Sequence, residues 1–361
     1  MSAIYDCSDD IPTTATEDAS AALTAAMTTA QTNNQVLRLP KRVLRLDSTW
    51  DIPINNDTGL FNSRKEVLID FNGCEFRPNV GLNVPMIRLD PQADFAHATA
   101  TPGDQLAQLI LKDLRFDLSQ GGTDCQALVL GKQGYIMSCN PMSRLQGIHI
   151  QNASAAHDIQ FDIINAQKIR MEGITMQEGG GMRIAVLDDD PLAFCGDMWI
   201  DNAQIHGDAG VPAVLIEANQ AGWSVPTAAC EGIHFKSLGT YAGGVRLDAG
   251  QYGAIRKVFF DEPYMDVLDA EISLDIDATG NGFIDRVICR DGDFTIPTAA
   301  IMNVHRDASA HVEAVFMDRA IVTGGSLTND QLITSSGSAT IGTRFRNTAH
   351  HTLVDAEVLS A

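Results

Sequence analysis

Positive charge is scarce in this sequence. Its 25 lysines and arginines stand against 46 aspartates and glutamates, a formal net charge of −21 over 361 residues. Nucleic acids and anionic membranes are themselves polyanions, so this balance argues against either as a partner. The cysteines Cys7, Cys74, Cys125, Cys139, Cys195, Cys230 and Cys289 are dispersed, and none belongs to a Cys-x-x-Cys pair. That excludes zinc-ribbon and thioredoxin-type readings. An odd, scattered set fits reduced thiols and synthesis in a cytoplasm. No basic-plus-apolar leader resembles a signal peptide, and no run of about 18 apolar residues is long enough to span a membrane. A glycine-rich phosphate loop, a nucleophile-elbow serine and a His-Glu-x-x-His pair are also missing. What the chain does have is apolar material, 45% of its residues, enough for a large core.

That material recurs. The spacing apolar-x-x-apolar-x-apolar appears at Leu111 to Phe116, Leu145 to Ile150, Met171 to Met176 and Ile200 to Ile205. It returns at Cys230 to Phe235, Ile255 to Phe260, Ile284 to Cys289 and Val312 to Met317, with starts 25 to 34 residues apart. The window's second residue is usually polar and its third is often Gly, Asn or Asp. A second apolar segment lies upstream in most repeats, at residues 86–90, 184–188, 213–217, 244–248 and 272–276. Glycine pairs such as Gly121-Gly122 and Gly243-Gly244 close several repeats. A period of this length means a solenoid, a propeller or an array. The segments alternate with period 2 and are rich in β-branched and aromatic residues, so helical repeats are excluded. Four-stranded blades and a Leu/Asn ladder are absent. A right-handed parallel β-helix of about 10 to 11 coils remains, in which stacked coils together bury what one coil cannot. Its inward column would be Phe116, Ile150, Met176, Ile205, Phe235, Phe260, Cys289 and Met317.

The spacing predicts one helix, over 14–31, with Ala19, Ala22, Leu23, Ala26, Met27 and Ala30 on one face. Thr14 and Glu17 have capping-box spacing. Such a helix would cover the open apolar end of the solenoid. The expected organisation is therefore an N-terminal segment and helix (1–34), a β-helix (35–345) and a C-terminal tail (346–361).

The stretch "EDASAALTAAMTTAQ" followed by "VLRLP" and a β-helix resembles the pectate-lyase-like β-helices of bacteriophage tailspikes and appendages. In those, a D-x-x-A-A-[IL]-x-x-A helix precedes a strand ending in Leu-Pro and a glycine-containing turn. Here Lys41 and Arg42 stand where the glycine is usual. The resemblance implies a virion tail-spike or fibre subunit, made in the host cytoplasm without a signal peptide. It also implies a homotrimer, attached to other tail or baseplate proteins, that binds and often cleaves host-surface polysaccharide. Nucleic-acid binding and membrane insertion are not implied. A bacterial polysaccharide lyase or glycoside hydrolase on the same fold, and a purely structural virion protein, remain the alternatives.

Outward residues of successive coils stack about 4.8 Å apart. Aligning the upstream segments puts Asp188, Glu217, Asp248 and Asp275 in one column. Aligning the windows puts Glu172, Asp201 and Glu231 in another, flanked by His234. Carboxylates about 5 Å apart suit a retaining glycosidase and wider pairs an inverting one. The candidate catalytic set is thus Glu172, Asp201, Glu231 and His234, against the plainer possibility of a solvated acidic face. Trp199, outward by alternation, with Trp223 and Tyr264 in loops, would bind sugar rings together with Asp188, Glu217 and Asp261. No cofactor is expected. The aspartate-dense loops "LDDDP" and "FDEPYMD" carry the only, weak, signal for Ca²⁺. Phe259, Ile288 and Phe316 form an outward apolar stripe that would be a trimer seam unless a loop covers it.

Overall fold

A computed structural model describes residues 3–54, 67–92, 108–139, 143–153, 159–188, 193–208, 210–220, 222–223, 229–267, 271–295, 299–324, 327–347 and 351–358. The chain divides into two units, Met1–Gly180 and Gly181–Ala361. Each is a parallel β-helix, as the repeat requires.

In the first unit, one ladder runs through Val36–Arg38, Val67–Asp70, Leu109–Asp117, Arg144–Gln151 and Arg170–Met176, all parallel. A second runs through Trp50–Ile54, Ile87–Pro91 and Leu128–Leu130. Between them lies an aromatic core in which Phe76 meets Phe71 at 5.8 Å, Phe116 at 5.9 Å and Trp50 at 6.1 Å between ring centroids. Such pairs add to the burial of their area.

The helix spans Ser20–Thr32 and buries Leu23, Ala26, Met27 and Ala30. It starts later than the spacing predicts, and the Thr14/Glu17 capping box does not form. Asp18 instead bridges to Arg45 in the first coil, and the N–H of Ala19 donates to the Arg45 carbonyl at 2.9 Å. The backbone is therefore committed to strand pairing until Ala19. Asp18 then accepts from the Ser20 N–H at 3.0 Å. Burial opposes ionisation of Asp18, but hydrogen bonds from Ser20 and Asp47 outweigh it and hold the carboxyl below its usual range.

In the second unit, the main ladder joins Phe194–His206, Ala229–Ala242, Ala254–Asp261, Phe283–Arg290 and His311–Thr323. The other joins Gly181–Ala185, Val214–Ala218, Val245–Ala249, Leu274–Ala278, Met302–Arg306 and Ile333–Gly337. The residues expected as a tail contain a strand, His351–Val358, which runs antiparallel to both Ile341–Asn347 and His311–Thr323.

Two features of the sequence now have causes. The window's third position is a bend in left-handed backbone, with φ of 57° at Asp113, 68° at Gly147, 67° at Gly173, 50° at Asp197 and 74° at Gly232. Gly, Asn and Asp tolerate that region best. All seven cysteines are buried, filling the core as small hydrophobes. Burial pushes the thiols of Cys7, Cys74, Cys125, Cys139 and Cys289 up to about 12.

Candidate functional site

The site is best built from the main ladder of the second unit. Met198 and Ile200 are buried, as are Ile233 and Phe235, and Val258 and Phe260. Alternation turns the residue between each pair outward. Register brings those residues, Trp199, His234 and Phe259, side by side. Their rings stack, Trp199 on His234 at 5.5 Å and 8°, and His234 on Phe259 at 4.5 Å and 15°. Ile288 and Phe316 continue the column. Trp199 stays 47% exposed, a large apolar surface to leave in water. Burial pushes the His234 pKa down, against the pull of the Asp261 and Asp197 carboxylates. The stacked ring is therefore a neutral imidazole at pH 7.

A second aromatic group lies past the next bend. His206 stacks on Tyr241 at 4.5 Å, and Tyr241 meets Tyr264 at 5.8 Å. Between the two groups, one column alternates in sign through Asp201, Lys236, Asp261, Arg290 and Asp318. Opposite charges facing each other across strands stabilise the ladder.

The expected carboxylate columns form differently. Asp201 does not stack beside Glu231; it pairs in register with Lys236, and Gly196 faces Glu231. The true window here is Cys195 to Ile200, five residues earlier, so Ile200 takes the core place expected of Ile205. Glu231 is held by Lys257, with Arg256 at 4.0 Å. Glu172 belongs to the first unit, where Gln146 donates to it at 3.1 Å. Within the second unit, Asp201 and Glu231 thus do not pair, and Glu231 and His234 share the aromatic face.

The upstream column slips too. Glu217 faces Asp248, and Asp248 faces Asp277, not Asp275; Ala185, not Asp188, faces Glu217. Arg183 reaches Glu217 at 3.3 Å, while Arg246 reaches Asp277 at 3.0 Å and Asp248 at 3.4 Å. Interleaved arginines offset the repulsion that stacked carboxylates would otherwise suffer. Even so, burial, together with Asp248, holds the Asp277 pKa above its usual range.

Trp223 is only 5% exposed and so offers no ring to a ligand; it packs against the backbone at Gly253. Tyr264 is 36% exposed and opens the strand Tyr264–Val267, so it does not lie in the loop expected of it. Asp189 and Asp190 lie outside the described residues. Among the described residues, no three His, Cys, Asp or Glu side chains converge on a metal position. No helix among them is long and apolar enough to cross a membrane. The apolar stripe of Phe259, Ile288 and Phe316 is bounded at one end by the chain's own C-terminal hairpin. There Ile288 and Phe316 share a cleft of about 610 Å³ with Gly342, Thr343, Asp355, Ala356 and Glu357. Sequence reasoning did not pick out Asp197 and Lys257 beside this face. Both occupy the left-handed bend, so the third window position was the signal that held them.

No protein-family model matches the chain, and no curated protein does. Solved structures do. An endo-xylogalacturonan hydrolase from Aspergillus tubingensis is 11% identical, with a TM-score of 0.52 over 92% of this chain and 99% of that one. A surface adhesin of Streptococcus pneumoniae is 8% identical, with a TM-score of 0.32 over 97% of this chain and 98% of its own. The Dettilon tailspike protein is 9% identical, with a TM-score of 0.32 over 92% of this chain and 70% of its own. At such identities, the first likeness supports the fold alone, a pectate-lyase-like parallel β-helix.

Proposed function

We propose that the chain is a glycan-binding subunit of a phage tail spike or fibre, and that the Trp199–His234–Phe259 face contacts a host-surface polysaccharide. The observation that carries this is the exposed stack itself: apolar rings with Trp199 47% exposed, flanked by Glu231, Lys257 and Asp261 as hydrogen-bonding groups. Sugar rings present apolar C–H faces ringed by hydroxyls, and this mixture of surface matches them. The virion assignment and the homotrimer come from the helix-and-strand resemblance. On this face binding is the reading favoured over cleavage, because the expected carboxylate pair of Asp201 and Glu231 is not assembled there.

The test is a glycan array, followed by titration of the best ligand. Trp199→Ala should weaken binding several-fold, up to about tenfold, the size of effect that losing one ring stack produces, with an unchanged melting temperature. Binding that survives Trp199→Ala would reject this face. Light scattering tests the assembly, and a particle of one 38.9 kDa chain would reject the homotrimer.

A further inference from the structure

The first unit contains a cleft of about 520 Å³ that the aromatic face does not explain. Its floor is the left-handed bend. The pairings Arg38 with Asp70 and Val43 with Glu75 bracket Lys41 opposite Gly73. The Gly73 N–H donates to the Asp113 carbonyl at 3.0 Å. Flanking pairs likewise set Asp113 opposite Gly147, and Gly147 opposite Gly173. Successive coils therefore present Lys41, Gly73, Asp113, Gly147 and Gly173. Arg115, His149 and Thr175 stand next to them as one outward column.

Left-handed backbone favours glycine at these positions but does not require it. In the second unit the same bend carries Asp197, Gly232, Lys257, Arg286 and Ala314, at φ between 45° and 74°. Nor does packing demand them all. A Cβ on Gly73 would meet nothing nearer than Lys41 Cε at 3.8 Å, and one on Gly173 nothing nearer than the Gly147 nitrogen at 3.8 Å. Side chains are missing where there is room for them, which leaves bare peptide as a floor.

The charges beside that floor are uncompensated. Arg115 and Lys41 are exposed, and neither forms an ion pair with a described residue. Glu75, which faces Arg115 in register, is held instead by Arg77 at 2.8 Å. Asp117 is also drawn to Arg77, at 3.3 Å. Among the described residues, Asp113 is the one carboxylate lining the cleft, and its Oδ1 lies over Gly147. Two free cations against one carboxylate, in a chain of net charge −21, make this a local positive spot on an acidic surface. Arg is the side chain best shaped to hold a planar oxyanion through two parallel hydrogen bonds.

We propose that this cleft binds an acidic sugar, its oxyanion held between Arg115 and Lys41 and its ring lying over the glycine floor. Thr175, His149 and Asp113 then face the hydroxyls. The inference names a substrate class for the glycan-binding reading, yet it concerns a separate site and is tested separately.

The experiment is an NMR titration of the full chain with glucuronate, glucose 6-sulfate, glucose and inorganic sulfate. Glucuronate or the sulfated sugar should bind, and whichever is tighter identifies the oxyanion. Glucose should not bind measurably. Arg115→Ala should weaken binding at least tenfold and Lys41→Ala several-fold, with binding also falling as salt is raised. Both side chains are exposed, so the variants should melt like the parent. Trp199→Ala should leave this binding intact, which separates its failure from failure of the aromatic face. Absence of acidic-sugar binding would overturn the proposal, as would binding that ignores Arg115→Ala. Inorganic sulfate binding as tightly as either sugar would reduce the cleft to a simple anion site and overturn the sugar assignment.

Discussion

Asp277 shows how much one side chain's setting matters in a stacked fold. Its carboxylate faces Asp248 on one side and His305 on the other, with Arg246 at 3.0 Å. Desolvation and Asp248 together outweigh Arg246, and the pKa is raised. A carboxyl whose folded pKa lies above its unfolded value stabilises the fold while it is protonated. It loses that contribution as pH rises through the folded value. Asp277→Asn removes the charge and keeps the shape. The variant should therefore melt higher than the parent at pH 7, with the gain shrinking toward zero near pH 3. Melting curves across that range check it, and a lower melting temperature at pH 7 would mean that the Arg246 contact dominates. His234 has the opposite sense. Its lowered pKa means that protonation is disfavoured by folding, so it costs stability as pH falls below about 6.5.

At the scale of one strand, the informative case is the slip of Asp201. The strand Phe194–His206 carries apolar residues at Cys195, Met198, Ile200, Ala203 and Ile205, all buried. Two overlapping windows share Ile200, each centred on a left-handed residue, Asp197 and Asn202. Apolar spacing alone fits either window. The coil period, the inward columns and the Gly/Asn/Asp preference at the bend were legible, because burial and backbone sterics write them locally. Which window pairs with Cys230 to Phe235 was not legible, because the strand has two equivalent bends and register is set by the next coil. Trp223 was misplaced for a related reason: nothing in a loop sequence tells whether its ring turns back into the wall. The register is open to a direct test. Residues 201 and 236 face each other, whereas 201 and 231 are offset by five positions, about 15 Å along the strand. A disulfide needs Cα atoms about 4.4 to 6.8 Å apart. The double variant D201C/K236C should therefore oxidise readily, and D201C/E231C should not. The native cysteines are buried and add little background. Cross-linking of the 201–231 pair instead would restore the carboxylate stack and, with it, the case for a glycosidase.

Over a whole unit, nearly every pairing joins one coil to the next, so stability should behave as a chain of nearest-neighbour terms. Phe260 sits in the middle of such a chain. It is fully buried and stacks on Phe235 at 5.2 Å and 11°. Cutting it to alanine leaves a cavity and costs about 3 to 5 kcal/mol. In a fold closed on itself, that loss would lower protection everywhere by a similar amount. In a solenoid unit it should fall mainly on the strands that touch it, Ala229–Ala242 and Phe283–Arg290, through local opening. Amide hydrogen exchange of Phe260→Ala against the parent reads this directly. The largest gain in exchange is expected in those two strands, with progressively less at His311–Thr323. An equal increase across the Gly181–Ala361 unit would show that its coils unfold only together. The site on the Trp199 face would then depend on every coil and not on its immediate neighbours.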